Sequence, residues 1–174
     1  MSASFKRAIE EARISSTDVF SWTHRGEVTI PREICQLANL RHLSLCYNQI
    51  TSLPSDFHLL TDLQKLYLDS IQLTSLPTDF HLLTNLQKLY LYNNQITSLP
   101  PNFHLLTNLQ TLYLYNNQIT SLPPNFHLMI NLQQLDLDNN PIKHIDRQIL
   151  VQTLDIRVPP TITAVVLVNF PQIV

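Results

Sequence analysis

Residues 86–108 read LQKLYLYNNQITSLPPNFHLLTN, and residues 109–131 repeat this stretch with changes at only three positions. The same 23-residue repeat opens five times, at Leu40, Leu63, Leu86, Leu109 and Leu132. A period of roughly 20–29 residues with leucines at this spacing is typical of a solenoid, in which successive repeats stack on one another. The repeat, rather than any single helix or strand, is therefore the structural unit of this chain.

Each repeat begins with the pattern of a short strand. Leu89 and Leu91 flank Tyr90, and this period of two indicates a β-strand with one buried face. The asparagine that follows, Asn94 in this repeat, is expected to hydrogen-bond turn backbone groups that no strand partner reaches. Pro100 then fixes φ and prevents further strand pairing.

One phenylalanine in each of the first four repeats is expected to cover the core from the side opposite the strand. Stacking should align these rings in a column, with Ile34 and Ile149 at its two ends. The column consists of Phe57, Phe80, Phe103 and Phe126. A single repeat cannot fold alone, because its buried side chains give roughly 1.5–3 kcal/mol each, whereas every ordered residue costs roughly 1–2 kcal/mol of backbone entropy. Stability therefore grows with repeat number.

With the letters L-x-x-L-x-L-x-x-N-x-I-T-S-L-P-x-x-F, the chain resembles the leucine-rich-repeat family over about residues 17–154. The L-P-x-x-F ending is similar to two groups: intracellular leucine-rich-repeat scaffolds of the Ras pathway, and small effectors that intracellular bacteria deliver into host cells. The resemblance implies an α/β fold, a single curved right-handed solenoid. It places a parallel β-sheet on the concave face, short 3-10, helical or irregular segments on the convex face, and caps at both ends.

We expect one domain over all 174 residues. Its parts are an N-terminal helix and degenerate capping repeat (1–39), five repeats (40–154) and a C-terminal cap strand (155–174). The repeat register is expected to slip by one residue at Leu154 and Ile156. The β-branched end of the chain predicts a strand that closes the solenoid, and the alternative is an exposed edge that awaits a partner.

Composition favours one soluble, intracellular protein without a cofactor. Cys35 and Cys46 are the two cysteines, too few for the disulfide caps typical of secreted repeat proteins, and the N-terminus lacks the apolar run of a signal peptide. No segment approaches the length of a membrane span. A net charge of −2 argues against a nucleic-acid partner. We expect a reducing compartment, which is the host cytoplasm if the protein is a delivered effector.

Five tyrosines occupy two strand positions that should face the concave side. We call them the tyrosine face: Tyr67, Tyr90 and Tyr113 in one column, Tyr92 and Tyr115 in the next. Adjacent strands lie about 4.8 Å apart, so the rings should touch. Tyrosine is enriched at protein-binding hot spots, and an apolar patch of this kind is seldom left unused. The alternative is that tyrosine is simply a good strand former whose rings stack across the sheet.

Opposite charges border the tyrosine face. Lys65 and Lys88 lie at the strand entrance, Asp136 and Asp138 replace tyrosine in the last repeat, and Asp69 interrupts the second column. We therefore predict that these five residues and the tyrosine face bind a protein or peptide with a complementary charge gradient.

Neither catalysis nor metal binding is predicted. Histidines recur in one convex column, at positions 58, 81, 104 and 127. Such a column could bind a transition metal or respond to pH, but no cysteine or carboxylate shares it, and duplication alone copies a residue. Neither cysteine has a sequence partner that suggests a nucleophile and base. We expect a non-catalytic interaction module, a monomer or weak homo-oligomer; the alternative is a self-associating structural or scaffold protein.

The second repeat departs from the pattern at Ile71, which stands where the other repeats have asparagine. An amide here should satisfy turn backbone groups. We therefore predict that Ile71→Asn stabilises the protein by about 0.5–1.5 kcal/mol.

Overall fold

The computed structural model describes residues 2–150 and 155–160. The helices are α1 (Ala3–Ile14) and α2 (Arg147–Leu150). The strands are β1 (Val19–Ser21), β2 (His42–Ser44), β3 (Lys65–Tyr67), β4 (Lys88–Tyr90), β5 (Thr111–Tyr113), β6 (Gln134–Asp136) and β7 (Asp155–Arg157). The strand expected near the C-terminus, from residue 161 onward, lies outside the described residues.

All seven of these strands form one parallel sheet in chain order, β1 to β7. From β1 to β6 each residue pairs with the residue 23 positions further on, as Leu66 pairs with Leu89. The degenerate first repeat keeps this register, since Phe20 pairs with Leu43. Each sequence position therefore becomes a column that runs along the sheet. The α/β solenoid predicted from the sequence is confirmed.

The register changes at the last described strand. Ile156 of β7 pairs with Leu135, which lies 21 residues earlier rather than 23. The slip of one residue expected at this point is therefore wrong: it is a slip of two. As a result Asp155 aligns with Gln134, and Arg157 aligns with Asp136.

Short 3-10 helices form the side of the solenoid opposite the sheet. They span Arg32–Gln36, Ser55–Leu59, Thr78–Leu82, Phe103–Leu105 and Phe126–Leu128. In the first three segments a proline fixes φ just before the turn, and its carbonyl accepts the first turn bond, as when the amide of Phe57 donates to Pro54 at 3.1 Å. Asn102 and Asn125 precede the last two segments. The segments stay short because 3-10 geometry does not extend well beyond one turn.

The phenylalanines of these segments stack along the core. Successive ring centroids from Phe57 to Phe126 are each 6.4 Å apart, with planes within 7° of parallel. Ile34 and Ile149 are buried near the two ends of this column. The strands on the other side lie only about 4.8 Å apart. Because the phenylalanine side is wider than the strand side, the solenoid curves and the sheet is its concave face.

A ladder of buried asparagines joins the turns that follow the strands. Asn94 shows the arrangement: its Nδ2 donates to the carbonyls of Leu68 and Leu91 at 2.8 and 2.9 Å, and its Oδ1 accepts from the amide of Leu73 at 2.8 Å. Each asparagine thus bonds its own repeat and the one before it. The expected role of this residue in satisfying the turn is confirmed.

Ile71 interrupts the ladder and is fully buried. The backbone changes beside it. Gln72 has φ 72°, a left-handed conformation that the equivalent glutamines in the other repeats do not adopt. Two of those, Gln95 and Gln118, donate their amides to carbonyls of the preceding repeat at 2.9 Å. The missing asparagine therefore coincides with a strained residue in the turn.

Helix α1 covers the N-terminal end of the solenoid. Its apolar face buries Phe5, Ile9 and Ala12, as its amphipathic pattern predicts. The ring of Phe5 stacks on Trp22 at 5.1 Å and on Phe20 at 6.3 Å. Within the described part of the chain, the helices are too short or too polar to cross a membrane.

A candidate binding groove on the concave face

The concave face carries columns that change in charge along the sheet. The first strand position holds lysine at Lys65 and Lys88, then Thr111, Gln134 and Asp155. Both lysines are half-buried and lie side by side. The face is therefore basic toward β3 and β4 and acidic toward β6 and β7.

The tyrosine face forms two columns of touching rings. Tyr67 and Tyr90 stack at 4.7 Å, and Tyr92 and Tyr115 stack at 4.6 Å, both with nearly parallel planes. Tyr113 instead meets Tyr90 edge-on, at 5.3 Å and 82°. Its hydroxyl donates to Oε1 of Gln134 at 3.3 Å. The rings thus make a continuous aromatic surface that is fixed by the strand register.

A groove of about 670 Å³ opens over this surface. Its lining includes all five residues of the tyrosine face together with Asp136 and Asp138. It also includes residues outside the predicted set, namely Asn116, Gln134, Leu135, Asn139, Asp155 and Arg157. Lys65, Lys88 and Asp69 do not line it. The groove therefore brings together seven of the ten predicted site residues.

Arg157 and Asp155 enter the groove through β7. The 23-residue pattern ends before this strand, so nothing in the repeat placed them beside Asp136. The alternating D-I-R triplet is the only sequence signal of a strand here, and the pairing of Ile156 with Leu135 fixes both neighbours on the concave side.

Asp136 lies in an electrostatically crowded place. Burial raises its pKa above the usual range, and the carboxylates of Asp138 and Asp155 add to this effect. A backbone hydrogen bond from Asp138 and the guanidinium of Arg157 act in the opposite direction but do not outweigh burial and repulsion. The β6 and β7 end of the groove therefore has an excess of negative charge.

The hydroxyls of Tyr90, Tyr92 and Tyr115 stay protonated at neutral pH. Burial raises the pKa of Tyr90, Tyr92 and Tyr115. Each hydroxyl can therefore both donate and accept a hydrogen bond. The face combines apolar ring area with neutral polar tips.

Asp69 lies beneath the surface, with only 3% of its area exposed. The thiol of Cys46 donates to its Oδ1 at 2.8 Å. After burial, the charge of its carboxylate is the main cause of the raised pKa of the Tyr92 hydroxyl. Asp69 therefore acts on Tyr92 electrostatically and offers a partner little surface of its own.

The cysteines are buried thiols. Burial raises the pKa of both Cys35 and Cys46 from 9.0 to about 11. A charge from Asp56 adds to the shift at Cys35, and the bond to Asp69 adds to it at Cys46. At neutral pH both are therefore thiols rather than the thiolates that act as nucleophiles or metal ligands.

Two of the four convex histidines hydrogen-bond the backbone of their own repeats. Nδ1 of His58 donates to the carbonyl of Ser55 at 3.1 Å, and Nδ1 of His81 donates to that of Thr78 at 3.0 Å. Across residues 2–150 and 155–160, no three His, Cys, Asp or Glu side chains are grouped so as to hold a metal ion.

Beside the histidines runs a row of leucines that are 43–52% exposed: Leu59, Leu82, Leu105 and Leu128.

Three solved leucine-rich-repeat structures illustrate what this fold is similar to. A leucine-rich-repeat protein of Leptospira interrogans matches at 28% identity and a TM-score of 0.69, over 87% of this chain and 47% of its own. The leucine-rich-repeat domain of the type III effector XopL matches at 23% identity and a TM-score of 0.82, over 93% and 58%. An internalin, InlF, from Listeria monocytogenes matches at 20% identity and a TM-score of 0.70, over 87% and 50%.

This chain thus spans about half the length of those structures. The two matches below 25% identity show the fold alone. No curated protein matches the sequence.

The family model for leucine-rich repeats in two copies matches three overlapping or adjoining segments, residues 38–83, 84–125 and 107–147. Together they cover more than half of the chain, and the matched segments contain strands β2 to β6. The chain therefore belongs to the leucine-rich-repeat family, whose fold supports protein interaction.

Proposed function

We propose that the protein is a non-catalytic interaction module whose concave groove binds a segment of another protein or a peptide. The observation that carries this proposal is the groove itself, in which five tyrosine rings and a group of carboxylates line one open volume of about 670 Å³. Amphipathic rings of this kind supply large contact area at little entropic cost, which is why tyrosine is enriched at interaction hot spots.

The rigidity of the face supports the same proposal. The rings already touch, at 4.6 and 4.7 Å in the two stacked pairs. Gln134 also accepts a hydrogen bond from the hydroxyl of Tyr113. A surface that is ordered before its ligand arrives loses little side-chain entropy on binding. The groove is therefore suited to a tight contact with an extended segment.

The proposed setting is a reducing compartment, as for an effector that acts inside a host cell. Cys35 and Cys46 are free and buried, which suits a cytoplasmic environment in which thiols stay reduced. The L-P-x-x-F ending of the repeats, similar to that of small bacterial effectors, supports this setting.

Affinity capture from a eukaryotic cell lysate tests the proposal. The native chain is compared with a variant that carries serine at Tyr67, Tyr90, Tyr92, Tyr113 and Tyr115, after circular dichroism has verified its fold. A convex control carries serine at Leu82 and Leu105. We expect a partner held by the native chain and the convex control but lost with the tyrosines. Equal capture by all three proteins would exclude the concave face as the binding site.

Self-association is the second candidate, and the row of exposed leucines on the convex face favours it. Contiguous apolar surface of this kind often marks an interface. Light scattering over a hundredfold range of protein concentration would detect it as a rising mass. The same measurement on the Leu82→Ser, Leu105→Ser variant would then return the monomer mass, whereas a constant monomer mass for the native chain would exclude this candidate.

A further inference from the structure

One end of the groove has a charge composition that selects its occupant. Asp136, Asp138 and Asp155 line this end, and Arg157 is the cation beside them. Three carboxylates and one guanidinium leave a local excess of negative charge. The opposite end of the concave face carries Lys65 and Lys88, so a bound segment meets different signs at its two ends.

Asp136 is half-buried, so water screens the repulsion around it only in part. Its pKa is raised by burial and by Asp138 and Asp155, in spite of the nearby Arg157. A further positive group placed here would relieve that repulsion, because charges interact more strongly where water is partly excluded. A negative or neutral side chain would not reduce the repulsion between the carboxylates.

The neighbouring aromatic rings narrow the choice of cation. Tyr113 and Tyr115 lie in β5 and just after it, directly beside Asp136 and Asp138 in the two columns. Aromatic faces attract organic cations, and arginine more than lysine, because the planar guanidinium stacks on a ring while its N–H groups bond carboxylates in pairs. An arginine side chain prefers surroundings in which aromatic rings and carboxylates lie side by side.

We propose that the acidic end of the groove receives an arginine side chain of the bound segment, between Asp136, Asp138 and the rings of Tyr113 and Tyr115. This inference rests on the proposed function and adds the chemistry of the partner. It also sets a direction: the basic residue lies toward β6, and the part of the segment near β3 and β4 is acidic or neutral, in keeping with the lysines there.

A matched pair of small probes tests the proposal. N-acetyl-arginine methylamide carries one guanidinium, and N-acetyl-citrulline methylamide has nearly the same shape without the charge. Each is titrated at pH 7 into the native chain with labelled tyrosine rings, and the ring resonances are followed by NMR. We expect the arginine probe to shift the resonances of Tyr113 and Tyr115 with a dissociation constant at least tenfold lower than that of citrulline.

Two charge-matched variants separate a site from general attraction to an acidic protein. Asp136→Asn with Asp138→Asn removes the proposed contacts and should weaken the arginine probe at least tenfold. Asp62→Asn with Asp79→Asn removes the same charge from exposed positions outside the groove and should leave binding unchanged. Equal affinity for both probes, no shift at Tyr113 and Tyr115, or equal loss in both variants would overturn the proposal.

The two proposals fail separately. A protein captured through the tyrosine face, with no preference for the arginine probe, would retain the interaction module and reject arginine as the recognised group. Selective arginine binding without a captured protein would retain the acidic end as a site and contradict the wider function in that lysate.

Discussion

Restoring the missing asparagine at position 71 should stabilise the protein. In the next repeat, Asn94 makes three short bonds, to the carbonyls of Leu68 and Leu91 and from the amide of Leu73. The equivalent groups for residue 71 are the carbonyls of Leu45 and Leu68 and the amide of Ile50. The register of the repeats offers these three groups to an asparagine at position 71.

The magnitude follows from opposing effects. Each regained bond is worth roughly 0.5–1.5 kcal/mol net, and a return of Gln72 from its left-handed φ of 72° adds roughly 1–2 kcal/mol. Against this, the buried isoleucine side chain contributes roughly 1.5–3 kcal/mol that would be lost. At the middle of these ranges, we expect Ile71→Asn to raise the free energy of unfolding by about 2 kcal/mol, which corresponds to a Tm increase of roughly 4–8 °C. The value exceeds the one expected from the sequence because the strain at Gln72 is relieved as well.

Urea denaturation and thermal unfolding of the native chain and the Ile71→Asn variant measure the effect. The reverse change, Asn117→Ile, is the control. It removes the acceptor that the amide of Ile96 uses at 3.0 Å, whereas Leu91 and Leu114 keep donors from neighbouring asparagines. Burial of the new isoleucine side chain offsets part of the lost hydrogen bonding, so the control should lose about 1–2 kcal/mol, as the reverse of the same balance. A lower Tm for Ile71→Asn, or no loss for Asn117→Ile, would refute the ladder as a source of stability.

Three further predictions concern stability. Ser70 has φ 57° where later repeats have asparagine, which tolerates this conformation, so Ser70→Asn should stabilise by about 0.5–1 kcal/mol in urea denaturation. Phe103→Ala should lower the free energy of unfolding by about 3–5 kcal/mol, because Phe103 is fully buried between two rings; a loss below 1 kcal/mol would contradict the stacked core. Finally, folding raises the thiol pKa values of Cys35 and Cys46 from 9.0 to about 11. Between these pH values the unfolded chain therefore binds fewer protons than the folded chain. The free energy of unfolding should thus fall as the pH rises above about 9. Denaturation midpoints from pH 8 to 10.5 should show this fall, and Cys35→Ala should reduce it.

The sequence predicts the solenoid well because parallel stacking at one register converts a linear repeat into columns. Once Leu66 pairs with Leu89, every other position is aligned as well. The strand leucines, the asparagine ladder and the phenylalanine column follow directly from this rule, and so do the contacts between tyrosine rings.

The features that the sequence did not indicate depend on places where the repeat breaks. Arg157 reaches the groove only because β7 pairs two residues out of the 23-residue register. The burial of Asp69 depends on its neighbours in adjacent columns, Cys46 and Tyr92. The strained φ of Gln72 follows from a single missing amide. A repeat pattern predicts the surroundings that equivalent residues share. It does not predict features that depend on a single departure from the repeat.

The spacing of the phenylalanines sets the shape of any ligand that follows the groove. Rings lie 6.4 Å apart in the core and 4.6–4.7 Å apart in the stacked tyrosine pairs. If the two layers are roughly 10 Å apart, this difference turns the array by about 10° at each repeat. The phenylalanines therefore act as wedges, and their size determines the arc of the concave face. A straight rod touches only part of that arc, whereas a segment that bends with it can contact every repeat.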